Sequence, residues 1–197
     1  RYDFQHQTRD PFAGFSSIKF SAANSNYNHT EFSITDGAYT PAALWKNIAN
    51  EARLELAHKA IMGWKGTFGA QFTGNSLEAN EIAGGYAILP ATKTNSKALF
   101  WIEEGRWGAL QGNLGLRYDN VKQNPNSSTV LSAEGPFASP TTDPTAPQVQ
   151  SKNFNLISYS AGGLWNFANG YGSGLSYTVS QRAPSAQELY SYGIHES

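Results

Sequence analysis

What most constrains this chain is a two-residue alternation broken by connections whose lengths themselves alternate. In Ala52–Leu56 one side carries Ala52, Leu54 and Leu56, while Glu51, Arg53 and Glu55 take the other. Trp64, Gly66, Phe68, Ala70 and Phe72 oppose Lys65, Thr67, Gly69, Gln71 and Thr73 in the same way. Leu110, Gly112, Leu114, Leu116 and Tyr118 oppose Gln111, Asn113, Gly115, Arg117 and Asp119. Such runs describe strands with one wet and one apolar face. The pattern predicts about eight of them: Arg1–His6, Phe15–Asn28, Asn47–His58, Trp64–Thr73, Lys97–Glu104, Ala109–Val121, Asn153–Trp165 and Tyr171–Arg182.

Tight connections at Pro11–Gly14, Lys59–Gly63, Gly105–Gly108 and Asn166–Gly170 alternate with long polar segments at Ser33–Lys46, Gly74–Ser96 and Asn120–Lys152. Structureless loops beyond about 12–15 residues are uncommon in compact soluble domains. Short turns at one end and long loops at the other are the signature of an antiparallel transmembrane β-barrel. Phe12, Phe15, Trp64, Trp107, Trp165, Phe167 and Tyr171 flank the tight turns as one interfacial girdle, and Tyr27, Tyr118 and Tyr177 are predicted for the opposite rim.

Composition excludes several alternatives. A net charge of -1 removes the broad basic surface that nucleic-acid binding needs. The absence of cysteine rules out disulfide scaffolds, thiolate zinc sites and cysteine nucleophiles. No G-x-S-x-G elbow or G-x-x-x-x-G-K-[ST] loop occurs, so no enzyme activity is expected. A soluble β-sandwich serving as a carbohydrate-binding module fits less well, because Gly and Ala recur on the apolar face where a sandwich core needs bulk. A passive porin-like pore remains the other alternative.

The C-terminal run Ser180-Gln181-Arg182-Ala183-Pro184-Ser185-Ala186-Gln187-Glu188-Leu189-Tyr190 resembles a late barrel strand and loop of TonB-dependent outer-membrane receptors. Leu114-Gly115-Leu116-Arg117-Tyr118-Asp119 and Trp64-Lys65-Gly66-Thr67-Phe68-Gly69-Ala70-Gln71 are similar to other strands of that family. Asn26-Tyr27-Asn28-His29-Thr30-Glu31 resembles a segment of the branch containing zinc-uptake receptors. The resemblance implies a plugged barrel of 22 strands in a Gram-negative outer membrane. It also implies uptake of a metal ion or metal complex (siderophore, haem or zinc), coupled to the TonB complex through a plug domain. Residues 1–197 then read as a partial barrel domain of that protein, without the plug and without a resident cofactor. Its expected neighbours are outer-membrane lipid and a small metal-containing ligand.

Histidine is the natural borderline metal ligand in a chain without cysteine. His195 beside Glu196, with Glu188 in the same segment, and the pair His29 and Glu31 are the candidate ligands. Glu78 and Glu81 read as a solvated part of a long loop, with attraction of cations as the alternative role. Glu51, Arg53, Glu55, Arg117, Asp119 and Arg182 are predicted to face the lumen, with Arg182 anchoring its loop through Glu188. His58 and His6 are expected away from any incoming ligand.

Overall fold

Backbone pairing carries the alternation further along the chain than the side-chain pattern does. The computed structural model describes residues 1–35, 37–82, 87–126, 130–132, 139–141 and 149–191. Strands β1 (Tyr2–Arg9), β2 (Phe15–Thr35), β3 (Ala38–His58), β4 (Trp64–Glu81), β5 (Ala87–Trp107) and β6 (Leu110–Pro125) follow one another. After the short β7 (Val130–Ser132) and β8 (Ser139–Thr141) come β9 (Lys152–Ala168), β10 (Tyr171–Val179) and the helix α1 (Ala186–Tyr190). The eight long strands form one antiparallel sheet in the order β1-β2-β3-β4-β5-β6-β9-β10, which is not closed on itself. Strands β7 and β8 pair only with each other.

The tight turns fall near where the sequence puts them, though residues 105–107 and 166–168 are strand and leave turns of two residues, and much of what reads as loop is strand as well. From β2 to β6 the strands are 16 to 21 residues long. Segments Ser33–Lys46 and Gly74–Ser96 are therefore mostly paired backbone. Asparagine, a poor strand former by propensity, is held in the ladder by its own amide. Asn24 Nδ2 donates to Asn50 Oδ1 at 2.7 Å, Asn75 Nδ2 to Asn47 Oδ1 at 3.2 Å and Asn120 Nδ2 to Asn155 Oδ1 at 2.7 Å. At the other end, Gly108 (φ +56°) and Gly170 (φ +78°) close the two tightest turns in a backbone region that costs other residues strain.

Register divides the sheet into two chemically distinct faces. One row of the apolar face runs Leu54, Ala70, Leu99, Tyr118, Ile157, and the next runs Leu56, Phe68, Trp101, Leu116, Tyr159. Toward the tight turns this face ends in paired aromatics. Trp64 meets Trp107 edge-on at 4.7 Å, Phe12 meets Phe15 at 4.9 Å and Trp165 meets Phe167 at 5.4 Å. Trp107 Nε1 donates to the Met62 carbonyl at 3.0 Å, and its ring lies where a Cβ on Gly105 would come within 2.1 Å. Of the tyrosines expected at the far rim, Tyr118 and Tyr177 lie on the apolar face, but Tyr27 does not. It alternates in phase with Ser25 and His29, and its ring packs 5.4 Å from His29 on the polar face. Because β2 runs unbroken through this region, parity fixes Tyr27 there whatever its chemistry.

A compact buried cluster sits at the end away from the tight turns. Ala43, Trp45, Ala79, Ile88 and Leu89 of the sheet enclose Ala186 and Tyr190 of α1. The rest of the sheet has little core of its own, and its apolar face exposes Phe20, Phe72 and Leu99.

Candidate functional site

The polar face concentrates its charge in one network spanning β3, β4 and β6. Arg53 pairs across to Gln71, Gln71 to Ala98, and Ala98 to Asp119, so the period of two brings distant residues into one row. Arg53 Nε donates to Glu55 Oε1 at 2.6 Å, and Arg117 grips Asp119 through two bonds of 2.8 and 2.7 Å. Gln71 is the hub. Its Oε1 accepts from Arg53 at 3.4 Å and from Arg117 at 3.1 Å, while its Nε2 donates to Glu51 at 2.6 Å. The Arg53 guanidinium also lies 4.2 Å over the centre of the Phe100 ring. Phe100 fits because Gly69 opposite has no side chain; a Cβ there would come within 2.0 Å of the ring.

Toward the rim, the segment after β10 folds back over this face and roofs a chamber of about 620 Å³. Thr73, Thr94, Arg117, Asp119 and Gln123 line its wall, and Arg182 and Gln187 its roof. The roof is fixed by local chemistry. Ser185 caps α1 by accepting from the Glu188 amide at 3.1 Å, and Glu188 Oε2 accepts from the Ser185 amide at 2.6 Å, a reciprocal capping box. Arg182 then closes on both Glu188 oxygens at 2.7 Å. The Arg182 guanidinium first, and the Ser185 amide second, draw the Glu188 carboxyl down to about 2. Gln123 Nε2 donates to the Pro184 carbonyl at 2.6 Å, and the Tyr190 hydroxyl, pushed up by burial, donates to the Gln150 carbonyl at 2.9 Å. Both oxygens of Glu188 are thus committed within its own segment.

His29 and Glu31 lie on the same face, with His29 Nε2 3.6 Å from Glu31 Oε1. The His29 ring stacks parallel to Trp45 at 6.1 Å. Its Nδ1 is buried without a hydrogen-bond partner, as are Trp45 Nε1 and Glu81 Oε2. Glu31, Ala43 and Glu81 share one row, so this corner of the rim gathers one imidazole and two carboxylates. Among the described residues no group of three or more His, Asp or Glu is arranged to hold a metal ion. His195 and Glu196 lie outside the described residues. Glu78, in β4 rather than a loop, turns to the other face and meets Lys46 at 3.2 Å.

One constellation escaped the sequence reading. His58 Nε2 lies 2.8 Å from Glu103 Oε1, the same oxygen that accepts from Trp101 Nε1 at 2.8 Å. Both side chains are nearly buried, although they stand on the apolar face beside the tight turns. Gly66 makes the space, since a Cβ there would meet Glu103 Oε1 at 2.5 Å. The signal was a carboxylate placed two residues after Trp101 and four after Leu99, in phase with apolar neighbours.

Over residues 1–197 the chain matches the family described as TonB dependent receptor-like, beta-barrel. Among solved structures it is similar to "Copper transporter OprC", with a TM-score of 0.66 at 13% identity over 85% of this chain and 28% of that one. It is also similar to the open form of the ferric-catecholate import receptor Fiu from E. coli K12, with a TM-score of 0.57 at 15% identity over 92% of this chain and 35% of that one. The chain spans about a third of the length of these structures.

Proposed function

This chain belongs to the TonB-dependent receptor β-barrel family, and we propose that it forms part of the barrel wall of a Gram-negative outer-membrane receptor importing a metal ion or metal complex. The observation that carries this reading is the two-faced sheet. A continuous apolar face ending in aromatic pairs meets lipid, and a cross-linked polar face with a roofed chamber meets the transport path. A spanning strand needs about 9–11 tilted residues, so strands of up to 21 residues project well beyond the bilayer. The end opposite the tight turns is the extracellular one, where the chamber and the His29 corner receive ligand.

Within this reading the residues divide their work. His29 and Glu31 supply borderline and hard donors at the rim, and His195 and Glu196, outside the described residues, are further candidates of the same types, which suit zinc, a siderophore-bound iron or haem. Glu188 serves Arg182 and holds the roof in place. The Gln71 network stiffens the wall and offers paired charges to a plug domain, through which the TonB complex acts. The receptor performs transport and no covalent chemistry.

Uptake of radiolabelled zinc, haem and ferric siderophores by cells carrying the complete receptor tests the proposal. Accumulation of one of them that disappears on deleting TonB is expected. Entry that persists without TonB would instead show the passive pore, and a chain that folds in buffer without detergent would show the soluble module.

A further inference from the structure

We propose that the apolar face carries a docking site for one phosphorylated lipid, its acyl chain lying over Ala52 and Ala70 and its phosphate held by Lys93, Lys97 and Lys122. The inference rests on assigning this face to lipid and adds the headgroup that it selects. A groove of about 500 Å³ runs across the outward side of β3, β4 and β5. Its floor is low because Ala52 and Ala70 stand between the larger Phe20, Phe72, Leu99 and Tyr118. The lining is almost wholly apolar until it reaches Lys97 and Asn120 at the end away from the tight turns. A trough of that form suits a hydrocarbon chain and gives a polar group nothing to bond along its length.

The charge lies where such a chain would carry its headgroup. Asn95 pairs directly across with Lys122, and Lys93 and Lys97 flank Asn95 on the same strand. Both therefore stand diagonally from Lys122, about 7–8 Å away by sheet geometry. All three are exposed and share the parity of Leu99 and Tyr118. Among the described residues none of the three has a carboxylate at ion-pair distance, whereas Lys46 and Lys59 have Glu78 and Asp10. The neighbouring carboxylate on this face, Glu78, is taken by Lys46 at 3.2 Å. Three like charges at diagonal positions repel one another unless an anion sits between them. A phosphate offers several oxygens to several ammonium groups at once. Lysines one step above an apolar belt reach headgroup depth by extending their side chains toward water.

The test uses the complete receptor, folded in a neutral maltoside detergent and titrated with phosphatidylglycerol, phosphatidylcholine or inorganic phosphate by native mass spectrometry. Phosphatidylglycerol is expected to bind at least tenfold tighter than phosphatidylcholine, with no stable adduct of inorganic phosphate. The variant Lys93→Gln/Lys97→Gln/Lys122→Gln should lose that advantage, roughly a hundredfold in affinity at low salt. Ala70→Phe, which fills the groove and leaves every charge in place, should weaken phosphatidylglycerol as well. Heat-modifiable migration on a gel verifies that each variant is folded. Equal binding of the two lipids, a triple variant or an Ala70→Phe variant that binds like the parent, or inorganic phosphate binding as well as the lipid, each overturns the inference. A receptor that stays folded and dispersed without any detergent overturns the underlying assignment of the face to lipid instead.

Discussion

Two clusters of charge, both built across strands, sit on opposite sides of the same sheet. On the polar face, Arg53 and Arg117 share the Gln71 carbonyl oxygen and each also holds its own carboxylate. On the apolar face, His58 has Glu103 and the Lys59 carbonyl, Glu103 also has the Trp101 indole, and little water reaches them. The first cluster is redundant and partly wet, with Arg53 and Arg117 about one-third exposed. The second has one arrangement only. Identical chemistry therefore carries different consequences on the two sides, because the cost of losing a partner is set by whether solvent can take its place.

Glu103→Ala breaks the comparison most sharply. It leaves His58 facing a nearly dry site without its counter-charge, and about 3 kcal/mol of stability should be lost. The urea midpoint of the folded band in detergent micelles measures it, and the double change His58→Leu/Glu103→Leu should recover most of the loss. A Glu103→Ala protein as stable as the parent would show that the pair is dispensable.

Gln71→Leu is the matching change on the polar face. It removes the hub, but Glu55 and Asp119 keep their arginines and water replaces the rest, so about 1 kcal/mol or less is expected in the same titration. A loss as large as that of Glu103→Ala would mean that the polar face is closed to water.

The smallest effect concerns the exposed roof. The Glu188 carboxyl is held at about 2 against an ordinary 4.5, so its folded form prefers the charged state. The contribution of the Arg182 pair and the capping box is therefore complete above pH about 4.5 and is lost as pH falls through about 2. Hydrogen exchange at the Glu188 amide should stay slow at pH 6 and approach that of an open loop near pH 2, once the intrinsic rate is accounted for. Protection unchanged at pH 2 would contradict this linkage.

The faces in the middle of β3, β4 and β6 were legible in the sequence because apolar and polar types alternate there, as from Leu110 to Asp119, whereas β5 sets Phe100 on the polar face and Glu103 on the apolar one. The extent of the strands was not. Just beyond Thr73 and just before Lys97 stand Gly74-Asn75-Ser76 and Thr94-Asn95-Ser96, whose composition is that of a loop while their backbone extends the ladder. Tyr27 was misplaced for a different reason: it lies inside Phe15–Asn28, where parity counted from Phe20 already turns it away from the apolar face. The pairing of Arg182 with Glu188 is close in sequence and visible as a local motif. That of His58 with Glu103 depends on how far β3 and β4 extend and which residues of β5 they face, a register that one strand alone does not contain.

The order of the strands also bears on how the sheet is made. Each of β1 to β5 pairs with its successor, so every hairpin up to β6 closes locally and can form as the chain is delivered. The pairing of β6 with β9 waits for the whole excursion from Pro125 to Lys152, whose closure costs about 2 kcal/mol more entropy than a two-residue turn. Assembly of this wall therefore advances quickly from β1 to β6, pauses at that join, and resumes with the local hairpin of β9 and β10. Shortening the excursion would speed the join while leaving the pairing of β6 with β9 as it is.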